Sequence, residues 1–209
     1  MRAQATIDAE PTHGLLSSEL QIALTPDKTY GELLSADEPV SALRMLRRPL
    51  VALVVIATAV PIMAVQRITV ALFAASIASF GFVVLIQMLV GVGIIASASS
   101  RRVSMPRALD LWFAGNVPYS LCLLTVAAVF ASTPYASLDG LIALAIGPAA
   151  WTAVIVAAFC RHVLGTSRAG ARWRAMAHFV VTWAIAFELV ALSAGGWFQI
   201  VRSIARFFE

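Results

Sequence analysis

The chain has 209 residues, 60% of them hydrophobic and 12% charged, with a formal net charge of +4. A soluble domain carries about twice that charged fraction. With a mean hydropathy of +0.87 and apolar residues gathered in runs, the composition argues against an ordinary water-soluble fold and for an integral membrane protein.

The first segment is the polar one. Seven of the eleven acidic residues lie within the first 38: Asp8, Glu10, Glu19, Asp27, Glu32, Asp37 and Glu38. Up to His13 the composition predicts disorder. Leu16, Leu20 and Leu24 then recur every four residues, on one helical face. That face suits a cytosolic partner, the cytoplasmic ends of a helical bundle or the membrane surface. Thr29-Tyr30-Gly31-Glu32 fits a capping box, with Thr29 opening a helix and Glu32 reaching back. Ser41 is placed to open a short helix with Val40, Leu43 and Leu46 toward lipid and Arg44, Arg47 and Arg48 toward head groups. Pro49 marks a break before the first span. The acidic, polar start carries no signal-peptide pattern, so the first span is expected to act as an uncleaved anchor.

Five apolar runs follow: Leu50 to Val65, Ile68 to Ala96, Leu111 to Ser132, Leu138 to Cys160 and Met176 to Ile200. Crossing a hydrocarbon core takes about 20 helical residues. Backbone amides in lipid must pair within their own segment, so each run is expected to be a helix. The first is short and interrupted by Pro61, which leaves a kinked or re-entrant segment as the alternative. The second exceeds a core of about 30 Å at about 1.5 Å per residue. It must tilt or project near Ser97 to Ser100. Its small residues, such as Ala75 and Ser79 four apart, allow close helix contact, and Gln87 is placed for an interhelical hydrogen bond. Gly91-Val92-Gly93 lacks the strand–turn–helix setting of a dinucleotide loop.

In the third run Pro118 removes a helical hydrogen bond, and Asn116 is placed to satisfy freed backbone groups or bridge helices. The pair reads either as an ordinary kink or as a helix break lining a cavity. Glu188 lies near the centre of the fifth run. An ionised carboxylate there costs about 2.5–3.5 kcal/mol on insertion scales, so it is expected to face the bundle interior, either as a proton or cation site or as a neutral acid hydrogen-bonded to a neighbour. His162 and His178 sit at the borders of the fourth and fifth runs with no third metal ligand in view, and no metal or cofactor is expected. Cys122 and Cys160 fall at different depths, against a disulfide.

Basic residues sort by side. With the N-terminus inside, twelve of the fifteen fall on the inner side: five up to Arg48, then Arg101, Arg102 and Arg107, then Arg161, Arg168, Arg172 and Arg174. This is the positive-inside pattern, with the C-terminus on the opposite side and Arg202 and Arg206 as a mild violation. Arg47, Arg48, Arg101, Arg102, Arg172 and Arg174 are thus expected to face lipid head groups and to set topology. The sequence pI near 9.7 then needs no nucleic acid. No phosphate loop, zinc-protease motif or nucleophile elbow is present, so no enzyme activity is expected.

The polar tail, the five closely spaced runs and the stretch from Arg101 to Leu121 resemble the Yip1-domain family. In that stretch a basic loop precedes an apolar helix whose Pro118 follows a small-polar pair. The resemblance implies a five-span architecture over roughly residues 40 to 200. The tail motif of eukaryotic members is not evident here, so their association with small GTPases is not implied.

The sequence therefore predicts an all-α five-helix membrane bundle: a cytoplasmic tail over 1–43, partly disordered with short amphipathic helices, and a Yip1-like membrane domain over 44–209, in a bacterial inner membrane. The expected role is a non-enzymatic scaffold or accessory subunit, touching lipid and other membrane or cytosolic proteins or copies of itself. The alternative is a small transporter or channel component using Glu188 and the Asn116–Pro118 break.

Overall fold

The computed structural model describes residues 15–35, 40–133, 138–185 and 188. Every regular element among them is helical: α1 (Leu15–Leu24), α2 (Pro26–Ser35), α3 (Ala42–Val65), α4 (Val70–Ala96), α5 (Met105–Ala114), α6 (Val117–Ser132) and α7 (Leu138–His162), then α8 over 168–185. The chain is an all-α bundle, as its composition predicts.

Among the described residues three stretches are long and apolar enough to cross a membrane: Leu43–Val65, Val70–Ala96 and Met105–Ser132, the last formed by α5 and α6 together. Only 17% of the apolar window of α4 is buried inside the protein, and large apolar side chains such as Val70, Leu85 and Leu89 face outward. A water-soluble surface rarely carries so much contiguous apolar area, so the architecture is compatible with a membrane protein. Of the two further spans expected, the fourth coincides with α7, where Ile146–His162 forms a shorter apolar stretch. The fifth begins in α8, and all of it beyond 185 except Glu188 lies outside the described residues.

The first span differs from expectation at its start. Pro49 does not break the chain; α3 runs continuously through both Pro49 and Pro61. Each proline removes one backbone hydrogen bond, but α3 packs along α4 and α6, and that packing holds the helix together. Its ends are well formed. Ser41 caps it as expected, Oγ accepting from the Arg44 amide at 3.3 Å. Gln66 closes it in the left-handed region at φ 57° and donates its side-chain amide to the Phe130 carbonyl at 3.2 Å.

The α1–α2 hairpin folds back on the bundle, α2 lying along α7 and α1 touching α5 and α6. Here too the starting point differs from the prediction. Thr29 does not open α2; the helix begins with Pro26, whose ring presets the first helical φ. Thr29 lies buried one turn inside and donates to the Thr25 carbonyl at 2.9 Å.

The core is lopsided. Its largest fully buried side chains, Tyr30, Phe159, Ile22, Ile95 and Leu111, cluster where the hairpin meets α5 and the facing ends of α4 and α7. The arginine-bearing loops gather at this same end. Arg102 donates its amide to the Val163 carbonyl at 3.1 Å, Ser100 Oγ donates to the Leu164 carbonyl at 3.0 Å, and Arg174 Nη2 donates to the Ser97 carbonyl at the C-terminus of α4, at 3.2 Å. A cation there also opposes the negative end of the helix dipole.

Candidate functional site

The hub of that end is α5. Every residue from Ala108 to Ala114 is buried, so its last carbonyls need partners within the protein. The Gly115 amide reaches the Trp112 carbonyl at 3.2 Å and the Asn116 amide reaches that of Phe113 at 3.1 Å. The Leu111 carbonyl accepts from the Tyr30 hydroxyl at 3.2 Å. Burial pushes the Tyr30 phenol well above its ordinary range despite the nearby Arg48 charge, so it stays protonated and can donate.

The chain breaks between α5 and α6 at Gly115 and Asn116, two residues ahead of Pro118. A Cβ on Gly115 would lie 2.8 Å from Ile155 Cγ2 and 3.1 Å from the Tyr30 hydroxyl, so a side chain here would push α2 and α7 away from α5. Pro118 falls in the first turn of α6, where its missing N–H has no helical partner to lose. The break expected at Asn116–Pro118 thus falls at Gly115 and Asn116, with Pro118 just inside the next helix. Asn116 bridges helices as expected, its side-chain Nδ2 donating to Gln87 Oε1 on α4 at 2.9 Å.

Beside the break sits a cluster of four charged side chains. Arg48 Nε donates to Glu19 Oε1 at 2.8 Å, and Arg48 Nη1 lies 2.5 Å from Asp110 Oδ2. Arg107 Nη1 approaches the same Asp110 oxygen at 3.4 Å, and its Nη2 donates to the Leu33 carbonyl at 3.4 Å. Side-chain exposure is 12% for Arg48 and 7% for Asp110. Two guanidinium groups and two carboxylates balance, and the low exposure makes each partner costly to remove. A cavity of about 410 Å³ joins cluster and break, with Glu19 and Arg48 on one wall and Asn116, Val117 and Ser120 on the other.

Arg48 is therefore a correction: it points inward, because the helical phase of α3 aims it at α5 and not at the surface. Arg47, Arg101, Arg102 and Arg172 are exposed, as head-group residues would be, while Arg174 is half-buried against Ser97. Glu19, Arg107 and Asp110 were not singled out from the sequence. The available signal was Arg107 and Asp110 three residues apart, at a spacing that pairs side chains on a helix.

A second set of polar contacts holds α2 to α7. Asp27 pairs with Arg161 and lies 3.2 Å from His162 Nε2. Burial works against the Asp27 charge, but Arg161 and His162 together outweigh it and hold the carboxyl below its ordinary range. Trp151 Nε1 donates to the Ala23 carbonyl at 2.6 Å. His178 packs edge-on against Trp112 with ring centroids 5.0 Å apart. Cys122 and Cys160 are both free thiols.

The leucine face separates from these contacts. Ile22 of α1 is fully buried, while Leu20 is 51% and Leu24 67% exposed, Leu20 at the edge of the cavity beside Arg48 and Asn116. The side chain of Leu16 lies outside the described residues. Glu188 is also a correction: it is helical and exposed. The inward stripe of α8 passes through Ala171, Ala175, His178 and Thr182.

No family model, curated protein or solved structure matches the chain. The geometry therefore carries the functional reading by itself.

Proposed function

We propose that this is a non-enzymatic multispan membrane protein that acts as a scaffold or accessory subunit, with the α1–α2 hairpin as its docking platform. One observation carries the reading: the hairpin is fixed to the bundle by buried Ile22 and Tyr30 and by the Glu19–Arg48 pair, yet it leaves Leu20 and Leu24 more than half exposed. A pre-ordered apolar face loses little entropy when it meets a partner. The asymmetry of the arginines supports a cytoplasmic hairpin in a bacterial inner membrane, and the Yip1-domain resemblance fits the same architecture.

The test is a crosslinked pull-down from native membranes in mild detergent, comparing the wild-type chain with Leu20→Glu/Leu24→Glu. Both positions are exposed, so the fold is expected to survive. A stoichiometric partner that disappears with the double substitution supports the platform; a partner retained, or none found, defeats it. A second reading, a transporter or channel component, draws on the cavity beside the Asn116 break. The exposed position of Glu188 weakens its part in that reading. Unchanged flux in liposomes for Asn116→Val and Glu188→Gln would end it.

A further inference from the structure

We propose that the groove between α7 and α8 binds an anionic phospholipid, with its phosphate on Arg168 and Arg172 and an acyl chain running along the trough. The groove has a volume of about 860 Å³, within the roughly 300–1,000 Å³ of ligand pockets. Its shape follows from the sequence. On α7, Ala149, Ala153 and Ala157 line one wall at a spacing of four, which puts three small side chains on one helical face. On α8, Ala171 and Ala175 continue the trough, and Phe179 and Trp183 close its far part, their rings 5.9 Å apart.

The charges lie at one end only. Asp27, Arg161, Arg168 and Arg172 are the ionisable lining residues. Asp27 is already paired with Arg161, so those two largely cancel. Arg168 and Arg172 are exposed and have no carboxylate within ion-pair distance among the described residues. Like charges four apart on a helix repel, and an anion between them relieves that repulsion. Arg168 and Trp183 are 15 positions apart, so the trough extends about 22 Å from its charged mouth at about 1.5 Å per residue. One leaflet of a core of about 30 Å is about 15 Å deep, so head group and one chain fit that length.

Basic pockets between membrane helices at the cytoplasmic side are a recognised setting for anionic head groups. A soluble anion would use the mouth and leave the trough empty; a neutral lipid would use the trough and leave the arginines uncompensated.

The experiment uses the full chain, delipidated in detergent and examined by native mass spectrometry with dioleoyl phosphatidylglycerol or dioleoyl phosphatidylcholine. With two arginines engaged, the wild type is expected to retain the anionic lipid at about thirtyfold lower concentration than the zwitterionic one. Arg168→Gln/Arg172→Gln removes the preference. Ala153→Phe fills the trough and lowers retention of both lipids, with its melting temperature in detergent confirming that it has folded. Arg44→Gln/Arg47→Gln, exposed arginines on α3, leaves the preference intact. Equal retention of the two lipids by the wild type, or an unchanged preference in the Arg168/Arg172 variant, overturns the proposal. So does displacement of the lipid by millimolar inorganic phosphate, which would make this a site for free anions. A lipid-free dimer formed in place of the adduct would make a second copy of the chain the occupant and overturn it as well.

Discussion

Gly91 and Gly93 lie two residues apart on α4, and only one of them has room for a methyl group. A Cβ on Gly91 would stand 2.8 Å from Trp112 Nε1, whereas one on Gly93 meets nothing within 4 Å. Because Trp112 is itself held edge-on by Phe159 and His178, it has little freedom to retreat. Gly91→Ala is therefore expected to cost about 1–3 kcal/mol by overpacking, and Gly93→Ala to be neutral or slightly stabilising; melting temperatures in detergent would separate them. Tyr30→Phe strips the Leu111 carbonyl of its buried donor and is expected to cost about 1–3 kcal/mol. Asp27 gives a pH signature. Its carboxyl lies below its ordinary value in the folded chain, so its stabilising contribution is complete above the usual carboxylate range and is lost as pH falls through the lowered folded value. The wild type should thus exceed Asp27→Asn in stability at neutral pH, and the two should converge in acid. Melting curves that stay parallel at every pH would contradict that.

At the scale of elements, the hairpin depends on the charge cluster. Arg48→Met leaves Glu19 without its partner and Asp110 with only the longer contact to Arg107. Breaking a buried pair from one side costs about 3–5 kcal/mol, here concentrated on α1 and α2. Limited proteolysis within residues 15–35 should accelerate in this variant while α3 and α4 stay protected. The same elements mark what could be read from the sequence. Long apolar runs predicted α3, α4 and α6 because spanning helices are specified locally, by hydropathy and length. Ser41 was legible as a cap for the same reason. The division of the third run into α5 and α6 was legible only as an alternative to a kink, and the close packing of Gly115 against Tyr30 and Ile155, residues far away in the chain, was not. Arg48 and Glu188 were misjudged because which way a polar side chain faces depends on helical phase and on neighbours that a hydropathy profile does not contain.

At the scale of the whole molecule, two arginine-bearing loops share one end of the bundle. The loops at 97–104 and 163–167 touch each other and lie at the end bearing the hairpin, while Gln66 and Phe130 meet elsewhere. With Cys122 and Cys160 replaced by alanine, Ile68→Cys should react with an impermeant maleimide added to intact cells, and Lys28→Cys and Ser99→Cys should not. The reverse pattern would invert the topology. The seating of the hairpin also has a consequence in time. Asp27 precedes its partner Arg161 by 134 residues, and Arg48 precedes Asp110 by 62. At about 5–20 residues per second of synthesis, α2 is made roughly 7–27 seconds before the end of α7 on which it rests. Until then the apolar faces of Ile22 and Tyr30 are bare. Full seating of the hairpin thus has to wait for α7, and a chain stalled before α7 is expected to display the unclosed segment to proteases and chaperones.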